Sequence, residues 1–576
     1  MKSVIYLVLG IAMFIACKTS TKSTKEANTT TPISLCGPTK ADLNTPPGND
    51  GNLSPLYEGL DVYHFPVTTK SEKAQKYFDQ GYLLACGFNH SEASRSFRQA
   101  IHSDPECAMA YWGLAYVVGP NYNAPVLDPE IIGTANEAIN NARMHLNNAS
   151  QKEKDLIEAI SKRYPKSKEE DAAPYSESYA NAMKEIAKKY PDDVDLQVLA
   201  AESLMNLHPW NMFSKSGEIQ PWTGEILSIL ENALAKVPDH PQAMHLYIHA
   251  MESSPNVEKA TEFANTLRFR VPGSGHLLHM PSHLYINTGN YHEGTLANER
   301  AVVVDSAYVE TCHDAGIYPM TYYPHNWHFL AACAALEGDG KRALEASRYM
   351  ADFVVDQNLM YESAWATLQH FYMIPSYIMV KFADWEAIRK EPKPDAKLTY
   401  PNAIWHYAQG MADAANDNLK VAQNHLSAIK EIKKDTTLKN IGVFGINNFH
   451  DLVFIAEHVL AGEIAQRNGD YNKAIGLLKK AIVVEDQLNY NEPPDWFFSV
   501  RHLLGDVYLK AEKYADAEKV YQEDLLKLRE NGWALKGLQR SLEKQNKTQE
   551  ADNAKKRFDA AWQWAKVELN SSVIES

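Results

Sequence analysis

Long apolar runs are almost missing from this chain of 576 residues. The single example, Val4 to Ala16, is too short to cross a bilayer as a helix, so no transmembrane helix is expected in the mature chain. Basic charge is also short: 57 Lys+Arg stand against 72 Asp+Glu, a formal net charge of -15. Phosphate affinity needs the opposite footprint, which argues against a nucleic-acid partner. Cysteine is scarce, 6 in all, with no C-x-x-C pair and no zinc-ribbon spacing. Sustained strand alternation is lacking, and so are a Walker-type P-loop, a G-x-S-x-G elbow and an H-E-x-x-H motif. With 45% hydrophobic and 22% charged residues most of the chain should still fold, either as about four domains of roughly 150 residues or as one extended repeat array.

What is present begins with an address. Lys2, the apolar run and then Phe14-Ile15-Ala16-Cys17 read as a secretory signal over residues 1–16. The last four resemble the lipobox of bacterial lipoproteins, with Phe14 where Leu is more usual. The resemblance implies a lipidated Cys17, a membrane partner through that anchor, and a place in the cell envelope, with the outer membrane favoured and the body facing the periplasm or the surface. An ordinary cleaved signal with Cys17 incidental is the alternative. From Lys18 the chain is rich in Ser, Thr, Lys and Asn, as a flexible tether requires, and residues 17–69 are assigned to it. Removing Cys17 leaves Cys36, Cys86, Cys107, Cys312 and Cys333, an odd set whose pairing the sequence does not assign.

Beyond residue 69 the periodicity is helical and it repeats. From Ala74 to Pro105, Gly81, Ala93, Phe97, Ala100 and Pro105 occupy relative positions 8, 20, 24, 27 and 32 of a 34-residue unit. This is the spacing of the tetratricopeptide repeat (TPR). Small residues at 8 and 20 let two antiparallel helices approach, a bulky one at 24 fills the seam, and proline ends the second helix. Gly410 with Ala422, Gly462 with Ala474 and Ala481, and Gly505 with Ala517 repeat the register. The expected fold is an all-α, TPR-like helical-hairpin solenoid, a right-handed superhelix of about eight to ten pairs. An N-terminal and central array is placed at 70–390 and a C-terminal array at 391–576. Loops are expected near Pro120–Pro125, Asn211–Pro221, Tyr308–Pro324 and Glu391–Pro401.

That register gives the histidines a meaning. Positions 2, 5 and 9 of the first helix in a pair form one stripe, facing the concave side. In three successive units, starting at Pro241, Gly275 and Pro324, these positions read Gln242, His245, His249; His276, His279, His283; and His325, His328, Ala332. Seven of nine slots are histidine, where 21 histidines in 576 residues would place about 0.3 by chance. H-x-x-x-H spacing sets two imidazoles on one helical face, a common way to present ligands to one metal. Sulfur-poor imidazole sites suit zinc, copper or iron, and seven imidazoles exceed one mononuclear site. Glu252 lies on the same stripe as a carboxylate or candidate base. Glu202, Asn206 and His208, one pair earlier, are candidates for the same basin, and the aromatic stretch Tyr318 to His328 for its wall. A histidine-lined, pH-sensitive protein groove without metal is the competing reading.

The stretches His245–Pro255, His279–His283, Tyr323–Leu330 and Glu492–Trp496, with Glu523-Asp-Leu and Asn531-Gly-Trp533, resemble a family of exported bacterial TPR proteins, many of them lipoproteins. The resemblance implies fold and export and brings no reaction. Two functions follow: an envelope-anchored TPR solenoid binding a transition metal at its histidine-rich centre, with metal-dependent catalysis as an extension, or a non-enzymatic TPR scaffold holding a peptide or partner protein. Asp495-Trp496 is expected to be a helix cap followed by a packed aromatic.

Overall fold

The computed structural model describes residues 46–48, 51–312 and 317–574. The signal segment, Cys17 and Cys36 lie outside them. Within them the chain is a TPR-like solenoid of helical pairs, from Glu72–Cys86 with His90–Ser103 to Gly532–Lys544 with Thr548–Ala561. There are twelve pairs among the described residues, more than expected. Pairs such as Gln151–Ile160 with Ala173–Lys189 contain no glycine, so the small-residue register does not reveal them. The loop expected over Tyr308–Pro324 is mostly helical instead: one helix runs Tyr291–Cys312, and a wide turn at Tyr318–Tyr322 leads straight into Tyr323–Glu337. The sheet content is one antiparallel hairpin of two-residue strands, Gly442–Val443 against Asn447–Asn448.

The register has the packing reason that the sequence suggests. Gly81 and Gly113 face the ring of Phe97 from neighbouring helices, and a Cβ on Gly113 would stand 2.3 Å from that ring. Gly505 and Gly537 hold Tyr521 in the same way, each with room for hydrogen alone at 2.2 Å. Cys86, Cys107 and Cys333 are buried free thiols.

The array closes on itself. Its C-terminal pairs reach back to the central ones: Arg529 donates to the Pro255 carbonyl at 2.9 Å and pairs with Glu258, Tyr291 Oη donates to the Arg529 carbonyl at 2.7 Å, and Trp533 Nε1 donates to the Ala335 carbonyl at 3.2 Å. From the other end, the strap before the first helix is tied by Gly273 N–H to the Gly59 carbonyl and by Arg270 to that of Val62. Two large apolar cores result, one spanning Leu60 to Tyr322 and one spanning Ile286 to Ala554, and the histidine-bearing helices stand where they meet. The histidine columns therefore do not line an open groove, as the repeat alone suggests. They face a closed interior.

Candidate metal centre

Three helices carry the histidines. Pro241–Met251 starts on the His240 side chain, which accepts from Ala243 N–H, with Pro241 supplying a first-turn residue that needs no donor. In the next unit Pro281 falls between His279 and His283, so the helix divides into Gly275–His279 and Pro281–Thr288. His279 and His283 nevertheless stay neighbours, with ring centroids 4.9 Å apart. The third helix is Tyr323–Glu337.

His245, His249 and His276 come together with ligand atoms within 4.8 Å of one another, and all three are buried. His245 Nδ1 donates to the Cys86 carbonyl at 2.7 Å, and His249 Nδ1 lies 3.2 Å from Glu252 Oε2. The Nε2 atoms of both, and both ring nitrogens of His276, are buried without a hydrogen-bond partner. Buried polar atoms are almost always paired, so such a convergence of unpaired lone pairs is what a cation would satisfy. Phe88, at a left-handed φ of 56°, lays its ring 4.6 Å from His245 and 5.4 Å from His276 and shields them.

His279, His283 and His325 form a second group of the same tightness. His279 Nδ1 donates to Asn298 Oδ1 at 2.7 Å, which leaves its Nε2 2.9 Å from His283 Nε2. On the far side of its ring, His283 Nδ1 meets Glu252 Oε2 at 3.1 Å and Glu492 Oε2 at 2.5 Å in ion-pair contacts. Burial above all holds His245, His249, His276, His279 and His325 below the ordinary imidazole pKa, in the neutral form that ligates metals. His283 departs from them. Burial alone would lower it, but the Glu492 and Glu252 carboxylates hold it above the usual value. Burial opposes ionisation of Glu252 too, yet His249 and His283 keep its carboxyl low, which suits orienting the two rings better than accepting protons. Glu492 is pushed up by burial, into the range useful for proton transfer near neutral pH.

A cavity of about 120 Å³ touches His249, Glu252, His283, His325 and Glu492, and Trp210, Tyr322, Phe444 and Tyr490 wall it. The two-strand hairpin places Phe444 there. The aromatic stretch does wall the site: Tyr322 packs edge-on to His276 at 5.0 Å, and Tyr318 Oη accepts from His276 N–H at 3.1 Å.

Other candidates go elsewhere. His328 stands apart, 5.6 Å from His370 and stacked 5.4 Å from Phe497, because position 5 of the third unit faces the C-terminal pairs. Glu202 accepts from Gln242 Nε2 at 2.7 Å and from Tyr116 in a separate buried network, His208 stacks on Trp222, and Asn206 turns toward the Pro120 carbonyl. Asp495 caps no helix. It accepts from Asn447 and Asn491, while Ser499 caps the helix that follows and Trp496 packs on Tyr377 and Tyr407. Glu492 and Asn298 are the site residues that column reasoning misses, since neither lies on a histidine stripe.

No curated protein matches the sequence. Among solved structures, the chain is similar to the APC/C Cut9-Hcn1 hetero-tetramer (15% identity over 81% of this chain and 76% of that one, TM-score 0.29). It is also similar to a human IFIT1 dimer with m7Gppp-AAAA (13%, 85% and 90%, TM-score 0.25) and to yeast Tom70 (13%, 84% and 89%, TM-score 0.25). Residues 500–532 match the family described as Tetratricopeptide repeat. That stretch covers the helix Val500–Lys510, the whole of its partner Tyr514–Lys527 and the following turn, so a TPR unit is embedded in the array.

Proposed function

We propose that this protein binds a transition metal, zinc, copper or iron, through its central histidines, as a TPR solenoid anchored to the cell envelope by a lipidated Cys17. The observation that carries the metal reading is the set of unpaired nitrogens on His245, His249 and His276, buried and within reach of one ion. Three protein ligands leave a coordination position open, and the cavity beside His249 and His283 is where a small substrate or water would reach it. A bound ion would supply Lewis acidity or lower the pKa of a water, and Glu492 is placed to take the proton. The lipid anchor is supported by Phe14–Cys17 alone.

Elemental analysis of the purified full chain after exposure to each metal tests this. Near-stoichiometric loading is expected, lowered by His249→Ala and by His283→Ala and unchanged by His102→Ala on the exposed surface. Loading below about 0.2 equivalents would contradict it.

Protein interaction is the role that such solenoids serve with their extended surfaces, and one observation favours it here as well. A second cleft of about 440 Å³ opens between the C-terminal pairs, lined by Trp385, Tyr407, Trp496, Lys381 and Arg467, and has the size and aromatic character for a peptide side chain. The histidine cavity is too small for that.

A further inference from the structure

We infer that the histidine centre is binuclear, with one ion on His245, His249 and His276, a second on His279, His283 and His325, and Glu252 as the carboxylate that orients a ligand of each. This rests on the metal-binding reading above and extends it to the number of ions and to the ligand that they share.

Six imidazoles exceed the three or four protein ligands usual for one such ion, and their ligand atoms fall into two threes. The ligand atoms of His245, His249 and His276 lie within 4.8 Å of one another, and so do those of His279, His283 and His325. Three of the six rings have Nδ1 hydrogen-bonded to an oxygen, His245 to the Cys86 carbonyl, His249 to Glu252 and His279 to Asn298, and His283 Nδ1 stands in ion-pair contact with Glu252 and Glu492. The three hydrogen-bonded rings are thereby left with Nε2 for the ion, which is how outer-shell acceptors fix metal-binding histidines. A single atom, Glu252 Oε2, serves one ring from each group, at 3.2 Å and 3.1 Å.

A rival grouping of Glu252, His283 and Glu492 would use His283 through Nδ1. Its 2.5 Å approach to Glu492 is that of a charged contact, whereas two ligands on one ion at about 2.1 Å stand about 3 Å apart or more. The 2.9 Å between the Nε2 atoms of His279 and His283 is close to that spacing.

The cavity determines the shared ligand. It touches His249 from the first group and His283 and His325 from the second, while His245, His276 and His279 lie away from it. A small anion or neutral molecule with oxygen or nitrogen donors, entering past Trp210 and Tyr490, reaches both ions at one place. Azide is the probe of that class.

The test is a copper(II) titration of the chelator-treated full chain, with metal counted by elemental analysis after gel filtration. Two equivalents are expected. His276→Gln and His325→Gln should each retain one, and Glu252→Gln should retain two at saturation while weakening both by about 10- to 100-fold. The two-copper protein should take up one azide. A single copper in the wild-type chain overturns the binuclear inference and leaves the metal-binding reading intact, and no copper overturns both. Loss of both ions in His276→Gln, with native circular dichroism, contradicts two separate groups. Uptake of two azides or of none contradicts the shared position. The wild-type count stands by itself if a variant fails to fold.

Discussion

Asp305 shows how finely single residues support the centre. It is buried, accepts from Tyr318 Oη at 2.8 Å and from Asn326 Nδ2 at 2.6 Å, and so fixes the tyrosine that receives His276 N–H. Burial outweighs both hydrogen bonds and raises its carboxyl to about 7. An unfolded aspartate ionises near 4, so folding takes up a proton between those values. The stability from the neutral carboxyl is complete below about pH 4 and is lost as pH rises through about 7. Thermal unfolding of the metal-free chain should therefore show a drop in stability between pH 5 and pH 8 that is smaller in Asp305→Asn. Identical slopes would remove Asp305 as the cause. The histidines themselves were legible in sequence, because position in a repeat decides which face a residue occupies. His328 escaped that logic: its stripe was correct, but what the stripe meets depends on Phe497 and His370, which only the folded chain brings there. Glu492 was hidden for the same reason, reaching His283 from about two hundred residues away.

At the scale of the helical pair, glycine seats govern stability. Alanine at Gly113 would force a Cβ to 2.3 Å from the Phe97 ring, and the ring is enclosed by Gly81 as well. Gly113→Ala should destabilise by about 1–3 kcal/mol through overpacking, and Phe97→Ala by about 3–5 kcal/mol through the cavity left behind. Denaturant midpoints measure both, and an unchanged midpoint in Gly113→Ala would mean that the seam relaxes freely. Gly81 and Phe97 were readable from the 34-residue spacing, whereas Gly113, 32 residues beyond Gly81, falls off that register. Pairs without glycine, such as Gln151–Ile160 with Ala173–Lys189, were not readable, because there the seam is filled by side chains that any amphipathic helix could carry.

For the whole molecule, the decisive property is closure. A solenoid read from local repeats is open by default, since each unit needs only its neighbours. Here Arg529, Tyr291 and Trp533 tie the last pairs to the middle ones, and the stripe that would face solvent is enclosed. Closure is what turns a histidine-rich groove into a buried cluster of imidazoles with a small cavity beside it. The proposed anchor belongs to this scale too: Cys17→Ala should move the protein from the membrane to the soluble fraction on cell fractionation, and retention in the membrane would contradict lipidation.

Binding of a transition metal by the buried imidazoles is decided by X-ray absorption at the edge of the bound metal. A nitrogen shell at about 2.0–2.1 Å with the outer-shell scattering of imidazole rings is expected, lost in His245→Ala combined with His276→Ala. A first shell of oxygen without imidazole scattering, or a spectrum unchanged by that double substitution, would contradict it.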